Sequence, residues 1–352
     1  MGGTGYFVKK KGRRIGIVCL FFLFGLTGCK NKAEPQLSFE PDLVVYTALE
    51  PEVYGPIVKE FEERTDYLVK VERGSSRELE QMACEGDLPE NVKWDLVFGV
   101  GTEVLEQTKE WWKPCEIREA ECISREFQCD SYRWTAFSAQ PLVIMFNTNV
   151  VTYRETPTGW SSLLEPRWKG RIGFGDPLQQ DIYASALATA VYSWKGQENY
   201  LELLFENIDG IFSDSVGEVN KGIQDGRFSL GITTEELAQD LLNQGADVDY
   251  IYPQEGTAVF LDGSAILNGC SHEEAAEAFL EFTVGMDVQR MLLSHLNRRP
   301  VRTDVEFPKG IPSLDKLPFL EWEMETFQKS KAGFLEQWKT LLNESRKGSG
   351  DS

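Results

Sequence analysis

The chain has 352 residues, 41% of them hydrophobic and 12% aromatic, which is enough apolar material for one large or two medium domains and argues against disorder. Its formal net charge is −20 at pH 7. Because a surface this acidic repels phosphate groups, neither nucleic acid nor an anionic membrane surface is an expected partner.

The N-terminal residues have the pattern of a secretory signal. Five basic residues among the first fourteen precede an apolar run over residues 15–26, which is short for a membrane span. The following "LTGC" resembles the bacterial lipobox, and this resemblance implies cleavage before Cys29 and acylation of its thiol, with palmitate among the expected lipids. We therefore expect a signal peptide over residues 1–28 and a polar linker over residues 29–41. The mature chain would then be extracytoplasmic and lipid-anchored to the cell membrane.

The cysteines outside the signal and the lipidation position leave the pairing open. They are Cys84, Cys115, Cys122, Cys129 and Cys270. The three at 115, 122 and 129 are spaced by seven residues and allow one disulfide, while the odd number leaves at least one free thiol. Because the chain has only two histidines and no close cysteine pairs, no metal site and no cofactor are predicted.

After the linker, strand-like runs alternate with amphipathic helical stretches. In order these are "DLVVYTALEP", "PIVKEFEERT", "YLVKVERG", "SSRELEQMACEG" and "WDLVFGVG". This alternation is typical of an α/β fold with a doubly wound, mostly parallel sheet, which binds ligands at the carboxyl ends of its strands. The residues predicted to bind a ligand at those ends are Thr47, Ala48, Ser75, Ser76 and Thr102.

The rest of the chain predicts a second lobe and a return to the first. A long strand in "WTAFSAQPLVIMFNTN" is followed by a helix in "LQQDIYASALATAVYSW", and "FSLGITTEELAQDLLNQG" and "VDYIYPQEG" renew the alternation. A strand in "SAILNG" precedes helices over 273–284 and 286–295. We expect lobe 1 over 42–137 and 258–345, lobe 2 over 138–257 and a flexible tail over 346–352. Two crossings between the lobes make a hinge, and the cleft between them is the expected ligand site.

No catalytic motif accompanies this architecture. The sequence contains no G-x-S-x-G elbow, no H-E-x-x-H pair, no Walker loop and no complete G-x-G-x-x-G. The two histidines, His272 and His295, give little support for a catalytic triad. We therefore expect a binding protein and not an enzyme, although an extracytoplasmic enzyme acting on a phosphate ester stays open as an alternative.

A family resemblance covers nearly the whole mature chain, from Asp42 to about Asp304. The segments that carry it are "LVVYTALEPEVYGPIVKEFEERT", "WTAFSAQPLVIMFNTNVV", "PTGWSSLLEPRWKGRIGFGDP", "GITTEELA", "YIYPQEGT" and "NRRPVRTDV". The chain resembles the bacterial solute-binding proteins of ABC importers, in the branch with ferric-ion and phosphorylated-solute binders. The resemblance implies a hinged, two-lobe type II periplasmic-binding-protein fold that acts as a monomer and presents its small ligand to a permease. The same receptor reporting to a membrane sensor kinase stays open.

The residues at the loops favour an anionic solute over iron. Ferric-ion binders of this branch use a histidine in the first strand's loop and a tyrosine pair near the interlobe helix. This chain has Leu49 or Glu50 at the first place, and around "DIYASAL" it has one tyrosine, Tyr183, without a neighbour. Hydroxyls and backbone N–H groups at a helix start suit the oxygens of a phosphorylated sugar or a phosphonate. The ferric ion remains the alternative.

Polar residues of lobe 2 are expected to complete the site by accepting hydrogen bonds from sugar hydroxyls. They are Asp176, Asp181, Ser213, Ser215, Glu235 and Glu236. For each of these residues the alternative is a purely structural role, because serine commonly caps helices and acidic residues favour the first helical turn. Arg298 and Arg299 could reach the cleft or brace the return of the chain to lobe 1, and the bracing role is favoured.

Overall fold

The computed structural model describes residues 40–86, 88, 92–194, 199–309, 311–318, 320 and 324–349. The predicted signal peptide, the lipidation residue Cys29 and nearly all of the predicted linker lie outside these residues. Within the described ranges, no helix is both long and apolar enough to cross a membrane.

The described strands join into one curled sheet of ten strands. They are β1 Leu43–Thr47, β2 Val69–Arg73, β3 Leu96–Gly101, β4 Trp112–Lys113, β5 Thr135–Asn147, β6 Ile172–Gly173, β7 Leu230–Thr234, β8 Val248–Ile251, β9 Val259–Leu267 and β10 Arg299–Pro300.

Helices pack against both halves of this sheet. They are α1 Pro51–Thr65, α2 Ser76–Glu85, α3 Thr102–Gln107, α4 Asp181–Ser193, α5 Tyr200–Ile208, α6 Val216–Gln224, α7 Glu235–Asn243, α8 Glu273–Thr283, α9 Met286–His295 and α10 Met324–Ser349. The predicted α/β fold class is confirmed, and the helices expected over 273–284 and 286–295 correspond to α8 and α9.

Lobe 1 is built around β1, whose five residues are all buried. It pairs in parallel with β2 on one side and β3 on the other, as the alternation of strands and helices predicts. Helix α1 places Ile57 and Phe61 on this sheet, where Phe61 contacts the Phe279 ring of α8 edge-on at a centroid distance of 5.0 Å. The chain therefore returns to lobe 1 after the middle portion.

Strand β5 runs through both halves of the molecule. Its residues 135–141 pair with β9, and its residues 142–147 pair with β7 and β8. The change of partner occurs at Pro141, which has no N–H to donate to a continuous ladder. Strands β5 and β9 therefore both run from one lobe to the other.

Lobe 2 surrounds the second half of β5 with a separate apolar core. Its large buried side chains include Trp160, Phe174 and Tyr200, each no more than 2% exposed. The core of lobe 1 contains none of these residues. Each lobe thus has its own core, with the hinge strands between them.

Helix α10 packs on lobe 2, against α4 and α5. Its Trp338 is fully buried and contacts the rings of Phe174 and Phe205 at centroid distances of 5.9 Å and 5.1 Å. The expectation that residues up to 345 belong to lobe 1 therefore needs correction for this helix, because Trp338 lies in the lobe 2 core and Phe334, Leu341 and Leu342 pack against it. Helix α10 is therefore part of lobe 2.

The five cysteines in the described part of the chain are all free thiols. Cys129 is buried, and its Sγ lies 3.1 Å from the Ser131 hydroxyl. The single disulfide that the spacing of 115, 122 and 129 allows is not formed.

Candidate functional site

A cleft of about 330 Å³ lies between the lobes, beside the hinge strands. This volume suits a small molecule. Lobe 1 contributes α2 and the end of β3, lobe 2 contributes α4, α10 and the end of β7, and the floor is formed by β5 and β9. The polar and charged residues that line it are Ser76, Glu80, Thr102, Glu103, Gln140, Asp181, Ser185, Thr234, Asp262 and Lys331.

The wall from lobe 1 joins a helix to a strand end. The Ser76 hydroxyl oxygen accepts a hydrogen bond from the Gly101 N–H at 3.0 Å, so its own hydrogen stays available to another acceptor. Glu80 lies one helical turn further along α2, and Thr102 begins α3. This wall combines hydroxyls with a carboxylate.

The wall from lobe 2 contains two buried hydroxyls. Ser185 on α4 is 2% exposed and Thr234 at the end of β7 is 7% exposed. Neither hydroxyl oxygen has a hydrogen-bond partner among the described residues, and both residues line the cleft. Buried polar groups normally have partners, so these two suit a bound molecule.

The floor carries a carboxylate held by several donors. Asp262 on β9 accepts through Oδ2 from the Ser138 hydroxyl at 2.9 Å and from the Gln140 side-chain amide at 2.7 Å. The Arg298 guanidinium donates to the same oxygen. Three donors on one oxygen fix the orientation of this side chain.

Negative charge dominates the cleft. Burial and the nearby Asp181 carboxylate raise the pKa of the Glu80 carboxyl above its ordinary value, and Lys331 opposes the increase. Glu80 belongs to lobe 1 and Asp181 to lobe 2, so the two carboxylates come from opposite walls. Movement of the lobes toward each other would bring these like charges closer.

Three of the eleven ligand residues predicted from the sequence line the cleft. They are Ser76, Thr102 and Asp181. Each of the three is the first residue of a helix, α2, α3 and α4 respectively, and Thr102 also directly follows a strand end, as the rule for open α/β sheets predicts.

The other three predicted residues of lobe 1 have structural roles. The Thr47 hydroxyl donates to the Phe98 carbonyl at 2.7 Å, and Ala48 packs against the apolar core. Ser75 caps α2: its hydroxyl accepts from the Glu78 N–H at 3.2 Å while the Glu78 carboxylate accepts from the Ser75 N–H at 3.1 Å. Ser75 therefore belongs to a capping box and does not line the cleft.

Replacing Ser75 by alanine is expected to lower the free energy of unfolding by about 1 kcal/mol, the usual cost of losing an N-cap. Solute affinity should not change, because the side chain makes its contacts within α2. Urea denaturation and titration calorimetry measure the two effects. Ser76→Ala is the matched control, since it removes the neighbouring hydroxyl that does line the cleft. A loss of affinity without a loss of stability in Ser75→Ala would place Ser75 at the solute.

Three predicted residues of lobe 2 hold their own loops in place. The Asp176 carboxylate accepts from the Leu178 N–H at 3.0 Å, which closes a turn. The Ser213 carbonyl accepts from the Gln180 side chain at 2.9 Å, and the Ser215 hydroxyl caps α6. None of the three residues is among those that line the cleft.

Glu235 and Glu236 form ion pairs and are not among the residues that line the cleft. Arg299 donates to both carboxylate oxygens of Glu235, and the Arg298 Nε donates to Glu236 at 2.9 Å. Burial raises the pKa of the Glu236 carboxyl to about 7, although the charge of Arg298 opposes the increase. Both arginines thus pair with carboxylates of α7, and these ion pairs occupy the groups that the sequence predicts at the ligand.

The side chains expected of a ferric site are not placed to bind one. Tyr183 is fully buried, and its hydroxyl donates to the Ile232 carbonyl at 3.4 Å. In the part of the chain that the structure describes, no three His, Cys, Asp or Glu side chains are grouped so as to hold a metal ion. The cleft carboxylates are therefore too dispersed to form a metal centre together.

Sequence reasoning missed several residues of the cleft. Asp262 could have been predicted as a site residue, because it is an acidic residue inside an otherwise largely apolar strand. Glu80 looked like an ordinary exposed residue of an amphipathic helix. Lys331 gave no signal, because its position depends on where α10 packs.

Residues 107–324 match the family model for the bacterial extracellular solute-binding protein family. An uncharacterized protein of Haemophilus influenzae is 25% identical over 194 residues, 54% of each chain, so this alignment spans about half of that relative. The Fe(3+)-binding periplasmic protein of Serratia marcescens is 22% identical over 267 residues, 72% of this chain and 77% of the other.

Solved structures share the fold. Iron-bound HitA from Pseudomonas aeruginosa superposes with a TM-score of 0.72 at 18% identity, covering 84% of this chain and 98% of that one. AfuA from Actinobacillus pleuropneumoniae with bound fructose-6-phosphate gives a TM-score of 0.70 at 21% identity, covering 84% and 97%. The family model spans more than half of the chain. The protein therefore belongs to the bacterial extracellular solute-binding protein family.

Proposed function

We propose that this protein captures a small, positively charged solute in the cleft between its lobes and delivers it to an ABC permease. The observation that carries the choice of charge is the pair Glu80 and Asp181, which line the cleft from opposite lobes. Closure brings these carboxylates together, and each raises the cost of ionising the other. An ammonium group between them removes the repulsion and links the lobes, so it binds the closed form better than the open form.

The buried hydroxyls support the same proposal. Ser185 and Thr234 have oxygens that accept hydrogen bonds, and Asp262 adds a further acceptor on the floor. An ammonium group offers three donors and no acceptor, so it matches this lining. A solute with amines or hydroxyls along a short chain would satisfy both ends of the cleft.

The anionic solute that the sequence predicts is the second candidate. Lys331 supplies a positive charge to the cleft, and the hydroxyls of Ser76 and Thr102 suit phosphate oxygens. Against it stands the repulsion between a phosphate and the carboxylates of Glu80 and Asp181. We rank the ferric ion below both, because Tyr183 is buried and hydrogen-bonded within lobe 2.

Membrane attachment through Cys29 is part of the proposal and rests on the "LTGC" segment. The lipid would hold the receptor near its permease while the acidic body stays in solution. Metabolic labelling with palmitate tests this directly: the label should be incorporated and should be lost in Cys29→Ser. Equal labelling of both proteins would refute the anchor.

Thermal denaturation with putrescine, glucose 6-phosphate or ferric citrate tests the choice of solute. A solute that binds only the folded protein at a hundred times its Kd stabilises it by about 2.7 kcal/mol. We expect putrescine to raise the melting temperature of the wild type and to lose this effect in Glu80→Gln and Asp181→Asn.

The matched control is Glu52→Gln, which removes the same charge from an exposed position on α1. Its response to putrescine should equal that of the wild type. A rise in melting temperature with glucose 6-phosphate alone would favour the second candidate, and a rise with ferric citrate alone would favour iron. Equal responses in Glu52→Gln and Glu80→Gln would show that only general charge is involved.

A further inference from the structure

We propose that Asp262 binds the solute directly and that Arg298 is the positioning residue that holds Asp262 in its binding orientation. This inference rests on the proposed function, because it assumes that the cleft is where the solute binds. Asp262 lies on β9, which runs from one lobe to the other, and it lines the cleft. Its position on the hinge places a solute contact where the lobes move.

The hydrogen bonds of Asp262 leave one oxygen for the solute. Ser138, Gln140 and Arg298 all donate to Oδ2. A carboxylate has two oxygens and about four acceptor positions, so Oδ1 can accept from a solute in the cleft. The chemical class that fits Oδ1 is a hydrogen-bond donor, either an ammonium or a hydroxyl.

Arg298 connects this carboxylate to lobe 2. Its side chain is 9% exposed, and its Nε donates to Glu236 on α7 at 2.9 Å. It also donates to the Ser138 hydroxyl on β5 at 3.2 Å. The rigid planar guanidinium thus fixes groups on β5, β9 and α7 relative to one another. Because Arg298 is not among the residues that line the cleft, it acts on the solute through Asp262.

Arg299 provides the natural comparison. It is more buried than its neighbour, at 2% exposure, and it also pairs with a carboxylate of α7, Glu235. Its other partners are the Tyr252 hydroxyl at 2.9 Å and the Pro312 carbonyl at 2.6 Å. None of these partners lines the cleft. The two arginines therefore differ in whether they reach a solute-facing group.

Titration calorimetry of the purified protein with putrescine tests the proposal. Asp262→Asn should raise the Kd about tenfold or more, as expected for the loss of one hydrogen bond to a charged group. Arg298→Lys should raise it about fivefold, whereas Arg299→Lys should change it less than about twofold. Circular dichroism confirms that each variant folds.

The double variant Asp262→Asn/Arg298→Lys separates positioning from general damage. If Arg298 acts through Asp262, the double variant should bind no more weakly than Asp262→Asn alone. Additive losses would show that Arg298 acts elsewhere, and an unchanged Kd in Asp262→Asn would overturn the solute contact. If Arg298→Lys does not fold, Ser138→Ala removes another donor to Asp262 at a buried residue that does not line the cleft, and it should raise the Kd about threefold. An unchanged Kd in this variant would refute positioning.

Failure of the proposed function is distinguishable from failure of this inference. A folded wild type that does not bind putrescine at all refutes the cationic solute, and the inference falls with it. A wild type that binds putrescine while all the single variants bind equally well leaves the proposed function intact and refutes the inference alone.

Discussion

Replacing Arg299 by methionine is expected to lower the free energy of unfolding by about 3–5 kcal/mol. Glu235 is 3% exposed and pairs with the Arg299 guanidinium through both of its oxygens. After the change, the Tyr252 hydroxyl at 2.7 Å and the Tyr250 hydroxyl at 3.5 Å would be its remaining donors among the described residues. Two neutral hydroxyls do not compensate a buried carboxylate for its lost hydration and its lost counter-charge.

Urea denaturation measures this loss, and Arg302→Met is the matched control. Arg302 is 5% exposed, but the side chains of its partners Glu119 and Asp304 are 58% and 40% exposed, so water can hydrate them once the arginine is gone. The control should therefore lose less stability than Arg299→Met. The double variant Arg299→Met/Glu235→Leu should recover most of the loss, because it removes both charges. Equal losses in the two single variants would contradict this account.

Glu235 is a residue that the sequence predicts at the ligand but that the structure places elsewhere. The "TTEE" segment follows a strand, and the carboxyl ends of strands do face the cleft in this fold. The structure places Thr234 at the cleft, whereas Glu235 turns toward Arg299. A difference of one residue reverses the direction of a side chain at a strand end. Arg299 lies on β10, which pairs with β5. The position of β10 therefore decides that the arginine meets Glu235 and not Thr234.

Local signals predicted much of the fold. The buried run of β1 and the amphipathic pattern of α1 follow from the periodicity of their apolar residues. The capping box at the start of α2 is readable as Ser75 followed three residues later by Glu78. Such features depend on neighbours within a few positions, so one sequence suffices to find them.

The cleft depended on contacts that the sequence does not display. Lys331 reaches it because Trp338, two turns further along α10, is buried in the core of lobe 2. Glu80 becomes significant because Asp181, about a hundred positions away, lines the same space from the other lobe. These relations between distant segments determined the charge of the site, and they changed the expected solute from an anion to a cation.

The stability of the protein is expected to fall by about 2–3 kcal/mol as the pH rises from 5 to 8 because of Glu236. Burial raises the pKa of this carboxyl from the ordinary value of 4.5 to about 7 in the folded protein. Between these values the folded protein keeps a proton that the unfolded chain has released. The folded state therefore binds more protons, and its stability decreases with rising pH until the folded carboxyl has also ionised.

Glu236→Gln removes this titration and isolates its contribution from those of the other carboxylates. At pH 5 glutamine resembles the protonated glutamic acid, so the variant and the wild type should have similar unfolding free energies. At pH 8 the variant should be more stable than the wild type by about 2–3 kcal/mol. Glu52→Gln, which changes an exposed carboxylate of α1, should show a constant difference from the wild type over the same range. Parallel urea-denaturation results for Glu236→Gln and the wild type from pH 5 to 8 would mean that Arg298 keeps Glu236 ionised throughout, and that the ion pair overcomes the cost of burial.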